Sequence, residues 1–438
     1  MTTEPQQQET FNNEHVDLKV TRLPQCGLKL DITVSPKTAQ VCHAKAIKMV
    51  SHEVVIPGFR KGKAPQEVIK TRYGQLIQKE FVDLVLDLSL REALSLAKLQ
   101  CIRESFTKKA PVIYSCTPQK VHFMVQCEAQ PLVPHVNVDD ISLSKVTTRE
   151  ITERDCERAI QSMVDSVTTF EKIEEQHHVQ EGDYVDCEIT EISSNSSNPY
   201  KHLNVSPLCL PSWLYDALLN LTVGAQVEGT TSEDHNFSED DGEFKKVDYK
   251  LTLNAIWKGT SPALDDALAK KMGAESLETL RSTVQHRLQQ QAEETAARKQ
   301  LVILDNFLLQ HYPFEVPGSY LEAEKKTRLE RHFTESKTTK NNYSEQEFKH
   351  LESDIENSSR MALQLFFLYG KIAADHKIVA QTADVDEEFA HWQMHMLKLG
   401  QMPLKNLSKD HKELYDRLAD AALNRKLRQF IISKAKLV

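Results

Sequence analysis

Three groups of residues have types and spacing that could do chemistry. The first is a loop, Gly58-Phe59-Arg60-Lys61-Gly62-Lys63-Ala64-Pro65. Arg60, Lys61 and Lys63 set positive charge beside one aromatic anchor, Phe59. RNA phosphates and an acidic protein patch both suit such a tip. Gly58 and Gly62 permit tight backbone geometry, and Pro57 and Pro65 stiffen both sides, so less entropy is lost on docking. The second group is apolar. Phe366, Phe367, Leu368 and Tyr369 are consecutive, so one helix face cannot bury all four. Phe389, Trp392, Met394, Met396, Leu397 and Met402 form another cluster, rich in flexible, polarizable methionine. Such residues serve either as contacts between helices or as an exposed apolar surface. The third group is His391 and His395, four apart. The intervening Trp392-Gln393-Met394 lacks the glutamate of a zinc hydrolase motif, and no third ligand is evident. Neither a metal nor a cofactor is expected.

The elements that must position these residues belong to a chain of 438 residues, long enough for about three domains. Hydrophobic residues make up 40% and charged residues 27%, ordinary values for a globular chain. The mean hydropathy is -0.46. No apolar run approaches the roughly 18 residues of a membrane helix, and the longest, Met361 to Tyr369, contains Gln364. Met1 to Asn13 is polar, without a basic flank or apolar stretch, so a cytoplasmic chain with no membrane partner is expected. All eight cysteines lie in the first half with no CxxC pair, which fits reduced thiols. Only 13 glycines are present and no glycine-rich phosphate loop.

The net charge of -9 hides a contrast. Residues 13–130 hold 18 Lys/Arg against 11 Asp/Glu, or +7; residues 177–258 hold 5 against 14, or -9. A basic front on an acidic protein suggests that this end alone meets a polyanion.

Residues 1–12 read as a disordered tail, and 13–130 as an α+β head. Within the head, Leu28 to Val34 alternates as a strand, and Ser35-Pro36 caps a helix carrying Val41, Ala44, Ile47 and Val50. Helical patterning resumes at Gln66, with a break at Tyr73-Gly74, and Val121 to Val125 is another strand. Residues 131–176 read as an extended and helical linker, its helix starting at a loose capping box, Thr152 to Asp155, and running to about Glu175. Residues 177–258 read as a small β domain, with strands at Tyr184–Ile192, Val227–Thr231 and Tyr249–Trp257. From 259 to 438 the pattern is helical: Glu275–Gln310 as one or two helices, then Tyr320–Phe333, Ser344–His376, Asp384–Leu399 and Lys409–Lys434.

The loop, followed by Arg72-Tyr73-Gly74, resembles the ribosome-docking signature of bacterial trigger factors, chaperones of nascent chains. The domain order matches over nearly the whole chain. The resemblance implies that Gly58, Phe59, Arg60, Lys61, Gly62 and Lys63 bind the large ribosomal subunit near the exit tunnel. It implies client arms for nascent and unfolded polypeptides in the helical region, with Phe366, Phe367, Phe389, Trp392, Met394 and Met396 as candidates. It also implies a homodimer off the ribosome.

For residues 177–258 the resemblance implies an antiparallel, FKBP-like peptidyl-prolyl isomerase fold. The family's Asp-Phe-x-Gly falls here on Glu188, Ile189, Thr190 and Glu191, so the aromatic and the glycine are gone. The next loop is replaced by Ser193 to Pro199. Either Trp213 or Leu214 takes the pocket floor, and Phe237 and Tyr249 add aromatic surface. Ile189, Trp213, Leu214, Phe237 and Tyr249 are therefore pocket candidates, although Trp213 and Tyr249 would serve equally as core. No catalytic residue is assigned, and weak or absent isomerase activity is expected. The alternatives are a dedicated isomerase with localisation domains and a plain RNA-binding protein; no RNP-type aromatic run supports the latter.

Overall fold

The computed structural model describes residues 8–57, 59–60, 62–102, 105–108, 110–173, 177–193, 196–234, 246–400, 402, 404 and 411–438. The chain forms two compact units, one from the residues up to Ser144 and from Leu301 onward, the other from Lys145–Gln300. The α+β, multidomain class read from the sequence is the class observed.

The head begins with β1 (Gln8–Asn12), β2 (Val16–Leu23) and β3 (Gly27–Val34). Helices α1 (Pro36–Glu53), α2 (Gln66–Leu96) and α3 (Ser105–Lys108) precede β4 (Val112–Cys116) and β5 (Val121–Glu128). The sheet runs β1-β2-β3-β5-β4, every pair antiparallel. Period-two alternation buries Val16, Leu18, Val20, Leu28, Leu30, Ile32 and Val34 with Phe81 and Val85 of α2. Ser35 caps α1, its hydroxyl accepting from the Thr38 amide at 3.4 Å with Pro36 in the first position. Helix α2 is kinked at Tyr73 (φ -124°, ψ 28°), beside Gly74, where a break is expected. Residues 8–12 differ from expectation. They are not a tail but an edge strand, because β2 offers an open edge and Glu9 and Phe11 turn to half-buried positions.

Residues 131–144 also differ. Part of the expected linker is packed: Val136, Val138, Ile141 and Leu143 are buried with apolar residues of the helical region, while Leu132 stays exposed. Val136 and Val138 share one face of an extended stretch, a 3-10 turn (Val138–Asp140) spaces Ile141 three residues on, and the segment ends in β6 (Ser142–Leu143).

In the second unit, α4 (Glu153–Asp165) starts at a complete capping box between Thr152 and Asp155. The helix stops ten residues earlier than Glu175, because Thr169 to Lys172 pair with the last strand as β7 (Thr169–Lys172). Next come β8 (Tyr184–Glu191), β9 (Ser197–Asn204), α5 (Ser212–Leu218), β10 (Gln226–Thr230), β11 (Asp248–Thr260) and α6 (Asp266–Lys271). The sheet runs β10-β11-β8-β9, with β7 also on β11, all antiparallel. The Tyr184 hydroxyl donates to Asp165 at 2.7 Å. Its ring lies so close to Gly259 that a Cβ there would stand 2.3 Å from it.

One helix, α7 (Leu277–His311), replaces the two-helix option; Pro313 and Pro317 follow it. The rest are α8 (Gly318–Ser336), α9 (Glu345–His376), α10 (Thr382–Lys398), α11 (Lys412–Lys434) and β12 (Lys436–Leu437), the last parallel to β6. Leu304, Leu308, Leu368, Tyr369, Ile372, Leu427 and Ile431 form the core of this region. Within the same unit, head and helices are tied together: Glu128 accepts from the Ser319 amide at 3.0 Å, and the Gln25 carbonyl accepts from the Gly318 amide at 3.2 Å. Glu128 thus sits at the start of α8, where an anion is favoured. Among the described residues, no helix is long and apolar enough to cross a membrane.

Candidate functional site

The loop stands on its own small core. Ile47 and Val50 of α1, Ile56, and Ile69 and Ile77 of α2 are buried together, with Val54, Ala64, Val68 and Tyr73 packed around them. Ile56 enters the core just before the loop and Ala64 returns to it just after, so both ends are pinned. Between them the Phe59 amide donates to the Ile56 carbonyl at 3.1 Å, and the Lys63 amide donates to the Arg60 carbonyl at 2.9 Å. Gly62 has φ +78°, and a Cβ on it would stand 2.7 Å from the His52 imidazole Nδ1. Only glycine suits both demands without strain.

This base turns the functional side chains outward. Phe59 is 42% exposed, and Arg60 and Lys63 are exposed. Gly58 and Lys61 lie outside the described residues. An aromatic anchor flanked by cations on a braced turn can enter an apolar pocket beside acidic groups or phosphates. Two further features escaped sequence reading. Val55 is 69% exposed beside the loop. On α1, Lys45, Lys48, Met49 and His52 line an open groove of about 590 Å³ with Glu53 and Leu84. The i, i+3, i+7 spacing of Lys45, Lys48 and His52 was the available signal.

In the β domain, the pocket candidates come together but mostly as core. Leu214 and Tyr249 are buried, and Ile189 and Trp213 pack half-buried against the same cluster. Helix α5 turns Leu214 inward and leaves Trp213 half-buried at the edge of the cluster, its ring centroid 4.7 Å from that of Tyr249 at a 50° tilt. Tyr249 lies opposite Gly229, so close that a Cβ there would stand 2.8 Å from the phenol oxygen. Burial pushes the Tyr249 phenol above its usual range. Phe237 lies outside the described residues.

In the helical region the four consecutive apolar residues divide. Leu368 and Tyr369 are buried, Phe367 is half-buried, and Phe366 is 66% exposed. Phe366, Phe367 and Gly370 line a groove of about 360 Å³ with Ile102, Pro131 and Tyr320. Phe389 and Trp392 stack at 5.7 Å and pack against Val385, Leu418 and Ala422. Met394 is exposed and Met396 is half-buried. The six candidates therefore belong to two separate surfaces.

Two family profiles match the chain. That of the bacterial trigger factor protein covers residues 16–163, and that of its C-terminus covers residues 276–433. The trigger factor of Protochlamydia amoebophila (strain UWE25) is 33% identical over 434 residues, 98% of each chain. The chain belongs to the trigger factor family. The Chlamydia abortus trigger factor is 25% identical over 441 residues, covering 97% of each chain. A solved trigger factor chaperone structure has a TM-score of 0.45 at 21% identity, covering 94% of this chain and 99% of that one. The two family profiles and the 33% identity show the resemblance to bacterial trigger factors.

Proposed function

We propose that this chain is a cytoplasmic, ribosome-associated chaperone. Its loop fastens the head to the large ribosomal subunit near the exit tunnel, and its helical region receives nascent and unfolded polypeptides. The observation that carries this reading is the outward display of Phe59, Arg60 and Lys63 from a braced base in a trigger factor family member. Cations of this kind bind polyanions with release of counterions, so attachment weakens as salt rises. The exposed Phe366 and Met394 supply apolar surface for clients. A homodimer off the ribosome belongs to the same reading.

The middle domain takes the role of an isomerase-family domain with weak or absent activity. Turning an X-Pro bond meets a barrier of about 20 kcal/mol from amide resonance. Lowering it needs an apolar pocket that binds the twisted amide better than the planar one. Burial of Leu214 and Tyr249 in the domain core supports low activity, since neither side chain is free to line such a pocket.

The test compares full-length protein with a Phe59→Ala, Arg60→Ala, Lys61→Ala variant. The variant should fail to co-sediment with ribosomes yet still suppress aggregation of a proline-free client. Retained co-sedimentation, or loss of both activities in a folded variant, contradicts the division of labour.

A further inference from the structure

The head holds a second chemically competent site that the docking loop and the client surfaces do not use. Cys101 and Cys127 are free thiols whose sulfurs lie 3.3 Å apart. The backbone explains the approach. Cys101 forms an isolated antiparallel bridge with Ala129, just past the end of β5, so Cys127, two residues before Ala129 and on β5, falls on the same face in the diagonal position. The pairing is anchored on both sides: the Ile102 amide donates to the Glu128 carbonyl at 2.9 Å, and the Gln130 amide donates to the Gln100 carbonyl at 2.9 Å. Cys127 is buried, whereas Cys101 is partly exposed. Of the two, Cys101 is the more exposed to a small oxidant, and Cys127 is buried beside it. A disulfide of about 2.05 Å needs the sulfurs to close by a little over 1 Å, within reach of side-chain rotation.

We propose that Cys101 and Cys127 form a peroxide-reactive dithiol, a modification site at which a hydroperoxide converts the pair to a disulfide. The Cys101 thiolate attacks one peroxide oxygen. The O–O bond breaks, the departing hydroxide is protonated to water, and Cys101 becomes a sulfenic acid. Cys127, giving up its proton, attacks that sulfur. The S–O bond breaks, the hydroxyl leaves with the proton as water, and the S–S bond forms. The two thiols lose two electrons and two protons, and one hydrogen peroxide becomes two waters.

Exposure assigns the order of attack: Cys101 is partly exposed and Cys127 is buried, so Cys101 is the attacking group and Cys127 the resolving one. The hydrogen bond between the two sulfurs lowers the Cys101 thiol, and that bond together with burial raises Cys127, in keeping with this order. The neighbouring Cys26 is a poorer competitor. Burial and the carboxylates of Glu315 and Glu128 push its thiol up to about 11. The new bond would join positions 26 residues apart. It would tie the chain leaving α2 to the strand that carries Glu128, the residue at the start of α8. Oxidation would therefore stiffen the head where it is fastened to the helical region.

The test uses the full-length protein and a few equivalents of hydrogen peroxide, followed by alkylation and peptide mass mapping. The Cys101 and Cys127 peptides should appear joined, lighter by two hydrogens, and should separate on reduction with dithiothreitol. The oxidised protein should melt roughly 2–5 °C higher, as expected when a loop of this size is closed. In Cys127→Ser the intermediate has no resolving thiol, so Cys101 should be trapped by a sulfenic-acid reagent. The wild-type mapping does not depend on how that variant folds. Recovery of both peptides separately alkylated after peroxide treatment overturns the proposal, as does either cysteine joined to a different one.

Discussion

In the head's cationic loop the aliphatic residue is hidden and the aromatic is shown: Ile56 is 4% exposed and Phe59 is 42% exposed. In the β domain the aromatic goes inside, with Tyr249 5% exposed and Leu214 6% exposed. Both regions collect residue types that recognise other molecules. Only the first leaves them available, because a separate small core of Ile47, Val50, Ile69 and Ile77 carries the stability of the loop. In the β domain the corresponding residues belong to the core cluster itself. A surface on its own foundation can be specialised for docking, whereas a pocket made from a small domain's core competes with folding.

The sharpest single change on the loop side is Phe59→Ala. It should weaken ribosome binding about thirtyfold, the roughly 2 kcal/mol of an aromatic hot spot, and leave the melting temperature unchanged. A fall in stability without loss of binding would reverse the comparison. On the other side, Trp213→Ala in the full chain should lower β-domain stability by about 2 kcal/mol. It should alter proline-limited refolding of a client by less than about twofold. A robust isomerase rate abolished by this change would mean that Trp213 lines a working pocket. Gly62→Ala probes the brace. A left-handed φ and the nearby His52 should together cost about 1 kcal/mol, seen as a several-fold loss of ribosome affinity.

The smallest effect concerns stability of the second unit alone. Burial raises the Asp155 carboxyl, but hydrogen bonds from Thr152 and the charges of Arg149 and Arg158 outweigh it and hold the group below the usual carboxylate range. A depressed folded pKa contributes stability above the unfolded value, and that contribution is lost as pH falls through the folded one. Asp155→Asn should cost about 1 kcal/mol near neutral pH. The gap from wild type should close below about pH 4, as urea melts at several pH values would show.

Legibility in the sequence follows the same divide. The loop was readable because glycine, proline and cation chemistry is local, and the kink at Tyr73 and the helices after Pro317 carried similarly local signals. Strands β1 and β4 were not readable. A polar or short edge strand is decided by the partner edge it meets, which no local pattern records. The inward turn of Leu214 and the split of Phe366 from Leu368 were hidden for a related reason. Whether an apolar residue is core or surface depends on elements distant in the chain. The Cys101–Cys127 pair shows this most plainly, since spacing of 26 residues gives no hint of contact.

The most direct measurement is equilibrium binding of the full-length protein to purified large ribosomal subunits at two salt concentrations. Wild type and the variant with alanine at Phe59, Arg60 and Lys61 would be compared. Wild type should bind, and weaken as salt rises; the variant should lose at least about 100-fold in affinity and most of the salt dependence. Equal binding of the two proteins at both salt concentrations would contradict the assignment of this loop as the ribosome anchor.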